Sequence, residues 1–456
     1  MALVFPETIY AAGQPPLGVG YLAASILREC PGVEPVILDR SFERNPRQAL
    51  LRDVREGRYD LLGISLVTPH LGMMKELALA AKQARPDTLV VVGGPHATML
   101  PEETLAIPGV DIVCEGEGER TLVELLHAGG NPRGIAGMVY RGEDQSIVRE
   151  PRRKEYEDLD LLPLPARQLY DMEDYLTHWY SMDTVRPGMR GTSVLATRGC
   201  PYSCTFCQPT ISTMFGNKLR KRDPVKIVDE IEEIRDRFRL EAFMFEDSTF
   251  ILDHAWVRRI CRELIDRKIG LIWCCNVRVD LASYELLRDM KEAGLRKVNM
   301  GVESGSNRIL CDVYDKGTTT EMVRKCLADC KRLGLKVQGY FMLGAPSETR
   351  REMQETIRLA ADEPFDDAVF DIATPFPGTK LYQMSSQNIV LPFEEFDCFQ
   401  RTVYNHAGEL SPQEVADLKR RAYWLFYLHP RRFLHTISNI LAPKGWGRLL
   451  LKVRRV

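Results

Sequence analysis

The 456 residues are 45% hydrophobic and carry 61 basic against 63 acidic side chains, a formal net charge of −2, which gives no global electrostatic reason for a nucleic-acid partner. A chain of this length exceeds what one hydrophobic core organises, so two domains and a smaller terminal element are expected. MALVFPETIY lacks the basic-then-apolar pattern of a secretory signal, and no apolar run reaches the roughly 18 residues of a membrane span, so a cytoplasmic protein is expected whose 12 cysteines are reduced thiols or metal ligands rather than disulfides.

From Ala2 to about Gly130, the apolar runs ALVF, PVILD, DLLGISLV, TLVVVGG and VDIVCEG alternate with amphipathic stretches. Near-continuous Val, Ile and Leu runs in such alternation predict a doubly wound parallel sheet of the Rossmann or flavodoxin-like kind. Small or polar residues crowd the strand exits at Ser65 to Thr68, Gly93-Gly94-Pro95 and Glu115-Gly116-Glu117-Gly118. In an open parallel sheet a ligand settles at these carboxyl ends, and glycine lets it approach the backbone. We assign residues 1–140 to this first domain and 141–190, with its proline-punctuated Leu161 to Pro165, to a linker.

Residues 191–380 carry a second alternating series, SVLAT, EAFMFE, LIWCCNV, KVNMGV, KVQGYFML and DAVFDIA, separated by charged amphipathic helices. Six such units predict an α/β partial barrel of the TIM type, with functional groups at the strand ends. Thr318 with Glu321, and Ser411-Pro412 with Glu414, match the capping box at helix starts. Residues 381–456 form a helical C-terminal element, free of acidic residues from Lys419 onward, in which Arg431, Arg432, Lys444, Arg448, Lys452, Arg454 and Arg455 stand among Leu, Ile, Phe and Trp. Such a tail either packs on the barrel or rests on an anionic membrane surface.

The strongest local pattern is Cys200-Pro201-Tyr202-Ser203-Cys204-Thr205-Phe206-Cys207, directly after SVLAT. Three thiols on one loop can ligate three irons of a cubane, whose usual complement is four thiolates, leaving one iron open. Structural zinc is the alternative, but it normally needs a second C-x-x-C arm or spaced histidines, and none follows. Adjacent Cys274-Cys275 on a strand point to opposite faces and do not chelate. They read as core residues, as do Cys261, Cys311, Cys326 and Cys330.

This CxxxCxxC loop, with the aromatic Phe206 before its last cysteine, resembles the radical S-adenosylmethionine (SAM) superfamily. The resemblance implies a 4Fe-4S cluster on Cys200, Cys204 and Cys207, SAM on the open iron, and an external electron donor for reductive cleavage to a 5'-deoxyadenosyl radical. Glu246 and Asp247 resemble the family's contact to the SAM amino group, Asn276 and Arg278 its ribose and carboxylate contacts, and Glu303 and Ser304 its next SAM-contacting turn. The first half resembles the cobalamin-binding domain that precedes the barrel in the largest subclass. Leu17 and Gly18 resemble its early turn, and Ser65, Val67, Thr68, Gly93, Gly94, Pro95, His96, Glu115, Gly116 and Glu117 its corrin and nucleotide-tail contacts. Neither His70 nor His96 sits in the D-x-H-x-x-G pattern of a lower cobalt ligand.

The implied activity is methylation of an unactivated carbon of a small molecule. A radical cyclase or rearrangement on an apolar tetrapyrrole or lipid-like scaffold, without net methylation, is the second enzyme reading, and a cobalamin-binding or electron-carrying module without radical chemistry the third. A methylthiotransferase needs a further N-terminal cysteine cluster, where only Cys30 and Cys114 stand.

Overall fold

A computed structural model describes residues 1–7, 13–400, 402–404 and 410–432; among the tail cations, Lys444 to Arg455 lie outside the described residues. The chain forms two compact units, one of Met1–Asp174 with Pro209–Leu219 and Pro392–Phe396, the other of Tyr175–Gln208, Arg220–Leu391 and the chain from Asp397 on.

The first unit holds a seven-stranded sheet ordered β2-β1-β3-β4-β5-β6-β7: β1 Ala2–Val4, β2 Val36–Leu38, β3 Leu61–Ser65, β4 Leu89–Gly93, β5 Ile112–Cys114, β6 Met138–Arg141 and β7 Ile147–Arg149. The first five are parallel, as their apolar runs predict. Alternate residues feed two cores, Val4, Leu62, Ile64, Val90 and Val92 on one face and Leu3, Leu61, Val91 and Ile112 on the other. Burial of each such side chain is worth about 1.5–3 kcal/mol, which is why these strands carry no polar alternation. β6 and β7 continue the sheet antiparallel past residue 140; β7 is largely exposed, so it gave no apolar run to read.

The second unit is built on six parallel strands ordered β15-β14-β13-β12-β11-β8: β8 Gly191–Val194, β11 Ala242–Phe245, β12 Ile272–Val277, β13 Leu295–Glu303, β14 Lys336–Leu343 and β15 Asp367–Ile372. Two short strands, β9 Thr197–Arg198 and β10 Arg220–Lys221, form a separate antiparallel pair. β8 and β15 do not pair with each other, so the sheet is a half-barrel. Its helix-facing side is an aromatic layer in which Phe245 stacks on Phe250 at 4.1 Å and meets Trp273 edge-on at 5.5 Å.

Helix starts carry the expected caps. Ser411 and Glu414 form a reciprocal box at the helix Pro412–Tyr427. The cap of the helix Thr320–Arg332 is Thr319 rather than Thr318, accepting from Met322 N, so the expected Thr318–Glu321 box does not form. A further reciprocal box, Thr349 with Glu352, opens the helix Arg350–Asp362. Pro412–Tyr427 packs against β15, where Tyr423 Oη accepts from Phe370 N at 3.1 Å, and Arg432 donates to the carbonyls of Ala361 and Phe365, both at 2.8 Å. Among the described residues no helix is long and apolar enough to cross a membrane.

Candidate active site

The cysteine loop is fastened before its first thiol. Beyond β8, the backbone N–H of Ala196 (3.1 Å) and of Thr197, and the Thr197 hydroxyl (2.6 Å), donate to the carboxylate of Asp247 at the end of β11. Asp247 is fully buried, and burial raises its carboxyl to about 7. Its side chain thus ties β11 to the start of the loop. Glu246, its neighbour, is exposed at the strand end.

Gly199, at φ +90°, then turns the chain, a conformation open to glycine at little cost. Cys200 Sγ lies 3.3 Å from Thr249 Oγ1. Cys204 is buried, with its Sγ 3.6 Å from Arg278 Nη1; burial raises its thiol, and the Arg278 and Lys316 cations oppose the rise. Cys207 is exposed; crowding by neighbouring atoms, with the charges of Cys204, Glu303 and Cys200, raises its thiol. The loop's far side is anchored by Thr205, whose N–H donates to Tyr314 O at 2.9 Å and whose hydroxyl donates to Val313 O at 2.7 Å. Phe206 meets Tyr314 edge-on at 5.3 Å, so it packs the loop onto the segment Ile309–Val313 and its neighbour.

Two cations stand beside this loop. Arg278 lies 3.6 Å over the ring of Tyr202, pairs with both oxygens of Asp280 at 3.1 Å and donates to Lys316 O at 2.7 Å. Its guanidinium thus holds the loop. Lys316, which no local motif marks, forms a 2.6 Å ion pair with Glu303, and the two side chains are only 5% and 12% exposed. Gly301 makes room for it: a Cβ there would lie 2.7 Å from Glu303 Oε1 and 2.8 Å from Lys316 Nζ. Glu303 sits at φ +66°, strained for a residue with a Cβ.

Asn276 donates to Asp247 O at 3.2 Å and accepts from Asn299 at 3.3 Å, joining three strand ends. Ser304 is buried, 3.2 Å from Thr356 Oγ1, and fixes the turn. Of the six cysteines expected in the core, Cys261, Cys274, Cys275, Cys326 and Cys330 are buried, whereas Cys311 is exposed on the irregular turn after β13.

Among the described residues no three His, Cys, Asp or Glu side chains converge on a single ion. A cubane gives each thiolate its own iron, so three sulfurs spread along one loop fit it without convergence on a point. The cysteine loop, with cations to balance thiolate charge, fits such a cluster.

In the first unit the strand ends divide into outward and inward groups. Leu17 and Gly18 open the helix Leu17–Glu29; Gly18 is exposed, and a Cβ there would meet nothing within 4 Å. Ser65, Val67, Gly93, Pro95, Gly116 and Glu117 are half-exposed, an edge of small groups that leaves room for a large planar ligand. Gly94, at φ +93°, lies against Leu66, whose backbone N and O a Cβ would approach to 2.8 Å. Thr68 and His96 turn inward: the hydroxyl lies 3.0 Å from His96 Nδ1, and burial lowers the imidazole to about 4. The Glu115 carboxylate is buried and bound by Arg149 at 2.6 Å and by Arg152. These three side chains hold the edge in shape through contacts within the unit.

A half-barrel with a three-cysteine loop, in a chain whose other unit is a parallel sheet with a glycine-rich edge, defines a radical enzyme with a corrinoid-type domain. Residues 194–360 match the radical SAM superfamily and residues 11–126 the B12 binding domain. An uncharacterized methyltransferase of Pyrococcus horikoshii is 30% identical over 448 residues, spanning 95% of this chain and 94% of that protein. The anaerobic magnesium-protoporphyrin IX monomethyl ester cyclase of Rubrivivax gelatinosus is 28% identical across 90% of this chain and 74% of that one. The fold is shared with the radical SAM methyltransferase TsrM of Kitasatospora setae, solved with cobalamin and a 4Fe-4S cluster: TM-score 0.74 at 20% identity, over 100% of this chain and 98% of that one. The chain belongs to the cobalamin-dependent radical SAM family. Its cofactors are a 4Fe-4S cluster, SAM and cobalamin.

Proposed function

We propose that this enzyme methylates an unactivated carbon of a small-molecule substrate in the cytoplasm, drawing electrons from an external donor. When bound, the cofactors supply a 5'-deoxyadenosyl radical for hydrogen abstraction and a cobalt-borne methyl group to replace the hydrogen. Cys200, Cys204 and Cys207 hold the cluster. Asp247, Arg278 and Phe206 set the loop's shape; Glu246, Asn276 and the Glu303–Lys316 pair offer polar groups to SAM at successive strand ends. The small-residue edge from Leu17 to Glu117 receives the corrin. The observation that carries the reading is the coexistence in one chain of the three-thiol loop and that open edge; the 30% identity to a methyltransferase over nearly the whole length supports it.

The test supplies SAM labelled in its methyl group to reconstituted enzyme with reductant and candidate substrates. Label in the product together with S-adenosylhomocysteine is the expected outcome. Deoxyadenosine without transferred label overturns methylation and supports cyclisation or rearrangement, the second reading, which the similarity to a tetrapyrrole cyclase favours. An apolar or lipid-like substrate and a peripheral membrane contact through the basic tail belong to the same proposal.

A further inference from the structure

The helix Pro412–Tyr427 is apolar on two sides. Val415, Leu418, Ala422 and Phe426 are buried, and this face accounts for its packing on the half-barrel. On the opposite side Trp424, Leu425 and Leu428 are 64%, 44% and 54% exposed. With Asp417, Arg420, Arg421 and His429 these three line one open groove, in which Arg420 is paired with Asp417. Three large apolar side chains exposed within five positions are more than the scattered exposures that need no explanation. The helix is held firmly in this orientation, because Arg432 beyond its end is bound to the carbonyls of Ala361 and Phe365 and lies 4.0 Å from the Phe426 ring centroid.

We infer that the Trp424–Leu425–Leu428 face, rimmed by Arg420 and Arg421, is the surface by which the enzyme rests on an anionic lipid bilayer; this deepens, and rests on, the membrane contact proposed above. Charge selects the occupant: Asp417 is balanced by Arg420, Arg421 and Arg431 follow with no further acidic residue in the chain, and a surface of net positive charge with an indole and leucines is matched to anionic headgroups over an apolar interior. Tryptophan sits well at that boundary, its ring apolar and its N–H wet. The pattern does not suit a nucleic acid, whose contacts would be ruled by phosphate and not by leucine.

The experiment is flotation of the full-length protein with phosphatidylcholine vesicles with and without phosphatidylglycerol. Wild type is expected to float with the anionic vesicles and to detach at high salt. Arg420→Gln with Arg421→Gln should weaken partitioning roughly 30-fold, the loss of two cations near an anionic surface. Trp424→Ser with Leu428→Ser should abolish most of it, while both variants keep wild-type melting, since these side chains are exposed. Wild type that floats with neither vesicle overturns the membrane reading itself. Wild-type binding that both variants retain leaves the membrane contact standing on the tail and overturns this surface. A concentration-dependent dimer lost in Trp424→Ser, or unchanged Trp424 quenching by brominated lipid, assigns the face to a second copy or to the chain's own tail, and overturns it as well.

Discussion

The guanidinium of Arg278 lies 3.6 Å from the ring centroid of Tyr202 and 3.6 Å from the sulfur of Cys204. One side chain from the end of β12 thus grips the cysteine loop at two points, while Asp280 and the Lys316 carbonyl fix its other nitrogens. Arg278→Lys keeps the charge and loses both the planar stack and the two-pronged pairing. Outer partners of metal ligands typically govern affinity or activity by 10–100-fold, so a loss of roughly that size in cluster occupancy or turnover is expected. Iron per chain and the electron-spin signal of the reduced cluster measure it; full iron and an unaltered spectrum would contradict the role.

Lys316→Met leaves the Glu303 carboxylate buried without its cation, which costs about 3–5 kcal/mol in comparable sites. Adding Glu303→Gln removes the stranded charge, so the double variant should regain most of the lost stability in urea titrations. SAM affinity, read by calorimetry on the cluster-loaded protein, should stay weak in both. Recovery of SAM binding in the double variant would place the pair in the structure alone.

Glu348, in the turn after β14, has a second use for the same physics. Its Oε2 accepts from Gly344 N at 2.7 Å and Ala345 N at 2.9 Å, while Oε1 is buried and meets no partner among the described residues. Burial raises the carboxyl from 4.5 to about 8. The unfolded chain releases this proton near its ordinary pKa and the folded chain only near 8, so the folded state binds more protons across that window and stability falls as pH rises through it. Glu348→Gln imitates the protonated acid. Its melting temperature should match wild type near pH 5 and exceed it near pH 8.5, by about 2–4 °C for each kcal/mol of removed penalty; parallel pH profiles would refute the assignment.

The succession of strands and helices in both units follows from the apolar runs and the amphipathic stretches between them, and the cysteine loop from spacing alone. What spacing does not encode is the direction in which a strand-end side chain turns. Asp247, Arg278, Ser304, Thr68, His96 and Glu115 all lie where a cofactor contact is expected, and each also meets a donor or acceptor from a distant part of the chain that no local pattern announces. Lys316 escaped notice for the converse reason: it lies in a turn of no regular periodicity, and only folding brings it to Glu303. Burial of a charge selects partners in space, and a linear pattern records only positions.

The asymmetry of the Glu115 site yields the last prediction. Its carboxylate is fully buried, whereas Arg149 and Arg152 are 44% and 40% exposed. Removing the acid by Glu115→Gln lets both arginines return to water, so the cost should be about 1–3 kcal/mol, the loss of charge-assisted hydrogen bonds. Removing the bases by Arg149→Ala with Arg152→Ala strands an anion in the interior and should cost about 3–5 kcal/mol. Both effects are expected in cobalamin-free protein, because the contacts are internal to the first unit. If Glu115→Gln instead left the melting of cobalamin-free protein unchanged and lowered only the corrinoid retained after gel filtration, the carboxylate would be a ligand contact after all.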